Sequence, residues 1–305
     1  MPGRPGWASG KFDDMRFSVP IGLGGFTIQA MTNYLNDIDE LAAQVPDGAL
    51  LALPPEYSFV PMALVRAMIR HGVKDLHVLT VPINGLAADM LIGAGCVKTV
   101  ECAAVSLGEA GPASRFAAAV ESGTVKIIDS TCPAIHTALQ ATEKGVPFMP
   151  LGGIIGSDIL NHRDDWKVVD DPLGQGNGRI VLIPAISPDV AIIHSPLADR
   201  DGNVWIGRRR ELATIAHAAK TLLVTVEKIQ DDSLLASEAT AAGTLPGFYV
   251  TSLVQAEEGA KPLGLVEHYA PDHDELSAYA RESRTQDGFN TYLQRAVFGA
   301  REAAE

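Results

Sequence analysis

From Asp37 onward the chain alternates two kinds of hydrophobic pattern, and the alternation predicts the fold. The segment DIDELAAQV spaces its apolar residues as one face of a helix and breaks at Pro46-Asp47-Gly48, a turn that leads into the continuous apolar run ALLAL at 49–53. After a proline-bounded loop from Pro54 to Pro61, MALVRAMIRHG reads as an amphipathic helix closed by Gly72, and LHVLTV as a β-rich run. DMLIGAG then predicts a short helix, VKTVECAAV a strand, ASRFAAAVESG a helix ending at Gly123, and VKIID a strand. CPAIHTALQATEKG carries proline in its first turn and continues as a helix, and VPFMPL is extended. RIVLIPA and VAIIHSP are predicted as buried strands, and ELATIAHAAK as a helix feeding the strand TLLVTV. Short Val/Ile/Leu runs that alternate with helices belong to strands covered on both faces. The predicted class is therefore α/β, a largely parallel sheet with helices on both sides. Residues 1–35, rich in Gly and Pro at their start, are expected to form an irregular arm, and residues 36–305 a single α/β domain with a helical C-terminal tail.

Composition narrows the partners. With 305 residues, 47% hydrophobic and 20% charged, the chain has the apolar content of a packed globular protein. Its formal net charge of −13 repels phosphate backbones and anionic membranes, so neither nucleic acid nor a membrane is expected as partner. An anionic ligand would need a local site built from helix N-termini or a partner subunit. No run reaches the ~18 apolar residues of a membrane span, and no signal-like cleavage pattern follows the apolar residues near the N-terminus. Cys96, Cys102 and Cys132 form no CxxC pair, which suits a reducing, cytoplasmic compartment without disulfides. GxSxG, Walker and HExxH patterns are absent from the sequence, and no metal site is expected. His268, Asp272, His273 and Asp274 read as solvated surface without a fixed helical face, and Arg208-Arg209-Arg210 as a solvated run or intersubunit contact that could also meet the phosphates of a ligand.

Four blocks carry a family resemblance: PMALVRAMIRHGVKDLHVLT (61–80), DMLIGAGCVK (89–98), SPDVAIIHSPLADRDGNVWI (187–206), and AAKTLLVTVEKIQDD with LPGFYVTSLV (218–254). From Asp37 to the C-terminal helix the chain resembles the A subunits of coenzyme A-transferases of the glutaconate CoA-transferase type, whose relatives include the A subunit of a bacterial steroid-ring hydrolase. The resemblance implies a three-layer α/β fold, acyl-CoA as substrate, no tightly bound cofactor, and a heterodimer or heterotetramer with a homologous B subunit. It also implies an active site at the seam between subunits, with the nucleophilic glutamate on the B subunit. Three readings stay open: CoA transfer between carboxylic acids, hydrolysis or ring-opening C–C cleavage of an acyl-CoA, and a non-catalytic acyl-CoA-binding or structural subunit.

The candidate site residues follow from where this sequence departs from that pattern. The loop after the first strand, glycine-rich in such relatives, reads here Ala52-Leu53-Pro54-Pro55-Glu56-Tyr57-Ser58-Phe59. Proline has no N–H to offer a thioester oxyanion, so donors would have to come from Glu56, Tyr57 or Ser58, or from elsewhere. Pro55, Tyr57 and Ser58 are expected to line the ligand, and Glu56 to serve as a general base if burial raises its pKa. A GLGGF string at Gly22–Phe26 precedes the first helix, the wrong order for this loop. Where the steroid-ring hydrolase subunit carries a functional glutamate, this chain has Ser130-Thr131-Cys132-Pro133, which makes Cys132 a second catalytic candidate, as a thiol near a helix N-terminus. Asn84 and Gly85, after a strand's C-terminal end, and Gly152, Gly153 and Ser157, in a Gly/Ser-rich loop after VPFMPL, are the remaining candidates for ligand contacts. His194 is read as a strand-end histidine satisfied by neighbouring backbone.

Overall fold

A computed structural model of the chain describes residues 32–174 and 178–299, so the GLGGF string and most of the expected arm lie outside it. It begins with a short strand, β1 (Asn33–Leu35), and helix α1 (Ile38–Ala42), whose N-cap Asp37 accepts the Asp39 amide. Next come β2 (Leu50–Leu53), α2 (Met62–His71), β3 (Leu76–Thr80), β4 (Ile83–Asn84) and α3 (Leu86–Gly93). Gly72 ends α2 at a φ of 76°, a left-handed value that glycine adopts without steric cost. Then follow β5 (Val97–Cys102), β6 (Ala104–Val105), α4 (Ser114–Ser122), β7 (Lys126–Asp129) and α5 (Cys132–Glu143), the last capped by the Thr131 hydroxyl. Three strands, β8 (Phe148–Leu151), β9 (Lys167–Asp170) and β10 (Arg179–Pro184), precede the long β11 (Val190–Asp199). After β12 (Val204–Trp205) and α6 (Arg210–Ala218) comes the long β13 (Thr221–Gln230), then α7 (Glu238–Ala241), β14 (Thr244–Leu245) and β15 (Ser252–Gln255). Helices α8 (His273–Glu282) and α9 (Gln286–Leu293), the latter continued by a π-helical turn at Gln294–Phe298, close the described chain.

The central sheet runs β1-β15-β13-β11-β2-β3-β5-β7, with every neighbouring pair in that path parallel. Strand side chains alternate between faces, and the alternation sorts the core into two layers. Leu51, Leu53, Val78, Val190, Ile192 and Leu223 pack on one face against α1, α2 and α3 together with α8 and α9. Ala52, Leu79, Ala191, Ile193, Leu222 and Val224 pack on the other against α5 and α6. With both faces buried the strands read as continuous apolar runs, and the fold is α/β as expected.

The structure differs from the pattern reading in three places. Residues 33–35 are not part of an irregular arm: they pair with β15 at the sheet edge, a non-local match invisible in so short a segment. VPFMPL and RIVLIPA do not enter the central sheet. They form β8 and β10 of a separate antiparallel unit, β8-β10-β9, whose Val181 and Ile183 meet Ala134 and Ala138 on the outer side of α5. The burial along β10 alternates, the mark of a sheet with one wet face, so the run is not a fully buried strand. Asp272 and the residues after it also have a fixed helical setting, because the Asp272 carboxylate caps α8 by accepting the Glu275 amide at 2.9 Å.

Leu51 is fully buried between β3, β11 and the α2 layer. Its truncation, Leu51→Ala, should lower unfolding free energy by about 2–5 kcal/mol, read as a shift of the urea midpoint, because a central strand cannot collapse onto the cavity.

Candidate functional site

Strand order reverses between β2 and β11: from β2 the chain moves outward through β3, β5 and β7, and from β11 it moves the other way through β13 and β15. Such a reversal opens a crevice beyond the C-terminal ends of the strands. β2 and β11 pair only at Leu51 with Val190 and Ala52 with Ala191. Beyond that point the 54–61 loop runs beside β11, and the Phe59 carbonyl accepts the His194 amide at 2.8 Å. Phe59 holds a left-handed φ of 54°, unusual for a bulky residue, and its ring lies under the Arg209 guanidinium, 3.8 Å from the ring centroid.

The loop turns Glu56 onto the N-terminus of α3. Its carboxylate accepts the Gly85 amide at Oε2 and the Leu86 amide at Oε1, each at 2.9 Å. Burial pushes the Glu56 pKa from an ordinary 4.5 up to about 7; the two amides pull it down without offsetting the desolvation, and the charge of Asp89 adds to the rise. Gly85 has to be glycine for a reason of space: a Cβ there would meet the Ser106 carbonyl and sit 2.8 Å from Glu56 Oε1. Glu56 and Tyr57 line one side of a cavity of about 900 Å³, whose other walls include Leu107, Leu263, Tyr269 and Tyr279.

Of the three loop amides named as possible oxyanion donors, Glu56 N–H donates to Ile83 at 3.3 Å and Ser58 N–H to Pro55 at 2.8 Å. The Tyr57 N–H makes no hydrogen bond among the described residues, and Tyr57 is 73% exposed. Buried Ser58 donates its hydroxyl to the Glu211 carboxylate in the first turn of α6. Local desolvation, then the charges of Glu211 and Cys132, raise the Tyr57 phenol, while burial lowers His136 against the pull of Glu211. Cys132, half-buried at the start of α5, therefore belongs to the same neighbourhood as Tyr57.

A second buried network braces the far wall of the cavity. His194 is not a strand-end residue satisfied by backbone; it lies in mid-strand, fully buried, with Nδ1 2.8 Å from Thr225 Oγ1 and Nε2 2.8 Å from Glu227 Oε1. A carboxylate only accepts, so Nε2 carries the hydrogen, and the neutral ring accepts the Thr225 hydroxyl at Nδ1. Burial lowers the His194 pKa, which keeps the ring neutral. Glu227 also accepts the Tyr269 hydroxyl at 2.7 Å and the Glu258 and Gly259 amides at 2.7 and 3.1 Å. Burial alone would raise Glu227, but these donors outweigh it and hold the carboxyl down at about 2. The network thus ties the 258–269 segment, which carries cavity-lining Tyr269, to the sheet.

The other predicted positions divide. Asn84 is fully buried and spent on the protein, donating to the Pro54 carbonyl and accepting the Ala88 amide, both at 2.8 Å. It braces the Glu56 loop. Pro55 is buried within that loop. Gly152, Gly153 and Ser157 follow β8 in the separate antiparallel unit and do not line the Glu56 cavity. Glu211, Glu227 and Tyr269 escaped the sequence reading: each sits in an ordinary amphipathic or polar stretch, and only folding brings it to the crevice. Among the described residues no group of three or more His, Cys, Asp or Glu side chains could hold a metal ion, and no helix is long and apolar enough to cross a membrane.

The two carboxylates should leave opposite marks on stability. Glu56 keeps its proton in the native state from about 4.5 to about 7, so its contribution falls as pH rises through that window, by at most about 3 kcal/mol. Glu227 is ionised down to about 2, so its contribution is full above 4.5 and is lost as pH falls toward 2, by less than the Glu56 effect because solvent screens this partly exposed carboxylate. Urea unfolding across pH should show the neutral-side decline flattened in Glu56→Gln and the acid-side loss flattened in Glu227→Gln. Slopes unchanged by either substitution would contradict the assignment.

Comparison with known proteins agrees with this architecture. The model of the family described as Coenzyme A transferase matches residues 35–256, a range that spans the central sheet from β2 to β15. The A subunit of glutaconate CoA-transferase from Acidaminococcus fermentans is 31% identical over 266 residues, covering 80% of this chain and 81% of that protein. The crystal structure of glutaconate coenzyme A-transferase from the same organism superposes with a TM-score of 0.79 at 29% identity, covering 88% of this chain and 89% of that one. A cholesterol ring-cleaving hydrolase subunit of Mycobacterium tuberculosis is 28% identical over 86% of this chain and 92% of its own length. An uncharacterized Archaeoglobus fulgidus protein is 34% identical over 79% of this chain, which spans about half of it, 53%. With the family pattern extending over most of the parallel sheet and its switch-point crevice, the chain belongs to the coenzyme A transferase family.

Proposed function

We propose that this chain is the A-type subunit of a heteromeric CoA-transferase that moves CoA from an acyl thioester to a carboxylic acid, with a homologous B subunit supplying the nucleophilic glutamate. The observation that carries the reading is the family match over residues 35–256, supported by likeness along four fifths of a glutaconate CoA-transferase A subunit. In this chemistry the glutamate oxygen attacks the thioester carbonyl, the C–S bond breaks, and CoA leaves as thiolate. The thiolate then attacks the glutamyl carbonyl of the mixed anhydride, releasing the first acid and leaving CoA on the enzyme for the second. The role of this chain is to shape the pocket and to stabilise the oxyanion. The unspent Tyr57 N–H is the loop donor available for that, where Pro54 and Pro55 have none. The reading takes residues 36–305 as one domain, the assembly as a cytoplasmic heterodimer or heterotetramer, and CoA as a substrate with no tightly bound cofactor.

One observation favours a second reading, hydrolysis or ring-opening cleavage of an acyl-CoA. A carboxyl poised at about 7 in a cavity suits a general base, and a ring-cleaving hydrolase subunit is among the relatives. Co-expression with the B-type partner and an assay of CoA exchange among dicarboxylic acids tests the first reading, which fails if a folded complex exchanges CoA with no acid. Under the transferase reading Glu56→Gln keeps exchange within about tenfold of wild type. A loss of about 100-fold or more, with the pH–rate profile losing its inflection near 7, would establish Glu56 as the base and favour hydrolysis.

A further inference from the structure

The Glu56 cavity does not end at Tyr57. A smaller cleft of about 530 Å³ shares Tyr57, Val266 and Glu267 with it and continues past Ser58. That cleft in turn shares Trp205, Gly207, Arg208 and Arg209 with a third, of about 960 Å³, so the three form one trench. The two ends differ in charge. Glu56, Glu109 and Glu267 stand at the first, whereas the far end is lined by Arg208, Arg209, Arg210 and His217 with no carboxylate among its lining residues. In a chain of net charge −13 such a cluster is a local reversal of the field. Arg208 and Arg210 are exposed, and among the described residues neither forms an ion pair, so the fold does not use their charges. Aromatic surface accompanies them: Phe248 is 57% exposed beside Tyr249, which stacks on His217 with centroids 4.2 Å apart. Guanidinium groups beside flat apolar rings match a ligand that carries phosphates on an aromatic base.

We propose that the Arg208–Arg210 end of the trench seats the phosphorylated adenosine of the CoA thioester, while the pantetheine arm runs past Tyr57 and delivers the acyl group to the Glu56 cavity. The proposal rests on the CoA-transferase reading and adds to it that this subunit, and not only its partner, grips the nucleotide. The arginines bind phosphate oxygens and are remote from the reacting carbonyl, so they hold ground state and transition state alike. Their loss raises KM and spares kcat.

The test uses the full chain co-purified with its B-type partner. Calorimetry with adenosine bisphosphate should show binding that weakens steeply with salt. Arg208→Ala with Arg210→Ala should weaken that binding about tenfold or more and raise KM for the CoA ester to a similar degree at unchanged kcat. Phe248→Ala should weaken adenosine bisphosphate binding while leaving inorganic pyrophosphate unaffected. Unaltered nucleotide affinity and KM in a folded double-arginine variant that still exchanges CoA would overturn the site and leave the transferase reading standing. Equal affinity for pyrophosphate and adenosine bisphosphate would overturn the nucleotide assignment, since the ring would add nothing. An assembly that neither binds nor exchanges CoA would remove both.

Discussion

The site depends on how briefly β2 and β11 stay together. Two residue pairs, Leu51 with Val190 and Ala52 with Ala191, join the halves of the sheet, and then β2 ends while β11 continues for eight more residues. A ten-residue strand beside a four-residue one leaves backbone donors that need partners. The 54–61 loop supplies one through Phe59, whose left-handed backbone aims its carbonyl at His194. Because the loop has to satisfy β11, it cannot run freely into solvent. It is held over the crevice with Glu56 on one side of it and Ser58 on the other.

Two partly buried carboxylates then show how environment divides identical chemistry. Glu56 has two amide donors and an acidic neighbour in Asp89, and desolvation prevails, so the group titrates near neutrality. Glu227 is also desolvated but collects an imidazole, a phenol and two amides, and hydrogen bonding prevails. The first keeps a labile proton at the cavity. The second is a fixed charge that clamps the cavity wall, and its permanence suits a structural part.

Much of the fold was legible because its strands obey local rules. Continuous apolar runs such as ALLAL and TLLVTV, and helix stops at Gly72 and Gly123, carry their meaning within ten residues. The reading failed where a pattern had two physical explanations. RIVLIPA looks buried in sequence, yet at β10 every second side chain is only half-buried. Asn84 reads in sequence as an exposed turn residue after a strand end, yet it is buried, pinning Pro54 and accepting the Ala88 amide in the first turn of α3. The loop candidates fared unevenly for a related reason. Glu56 and Tyr57 line the cavity, whereas Gly152 and Gly153 follow β8 into another unit, and their flexibility alone could not say where they would lie.

The sequence by itself determined the α/β class, most helix boundaries and the prominence of the Pro-Pro-Glu loop, since hydrophobic period, capping and turn chemistry act between near neighbours. Only the tertiary structure decided the strand order, and with it the crevice, the partners of Glu56, His194 and Glu227, and the trench joining Glu56 to the arginines. Those features rest on contacts between residues far apart in the chain, such as Ser58 with Glu211 or His194 with Glu227. No local pattern encodes them, because the free energy that selects such pairs arises when the sheet closes and water leaves both its faces.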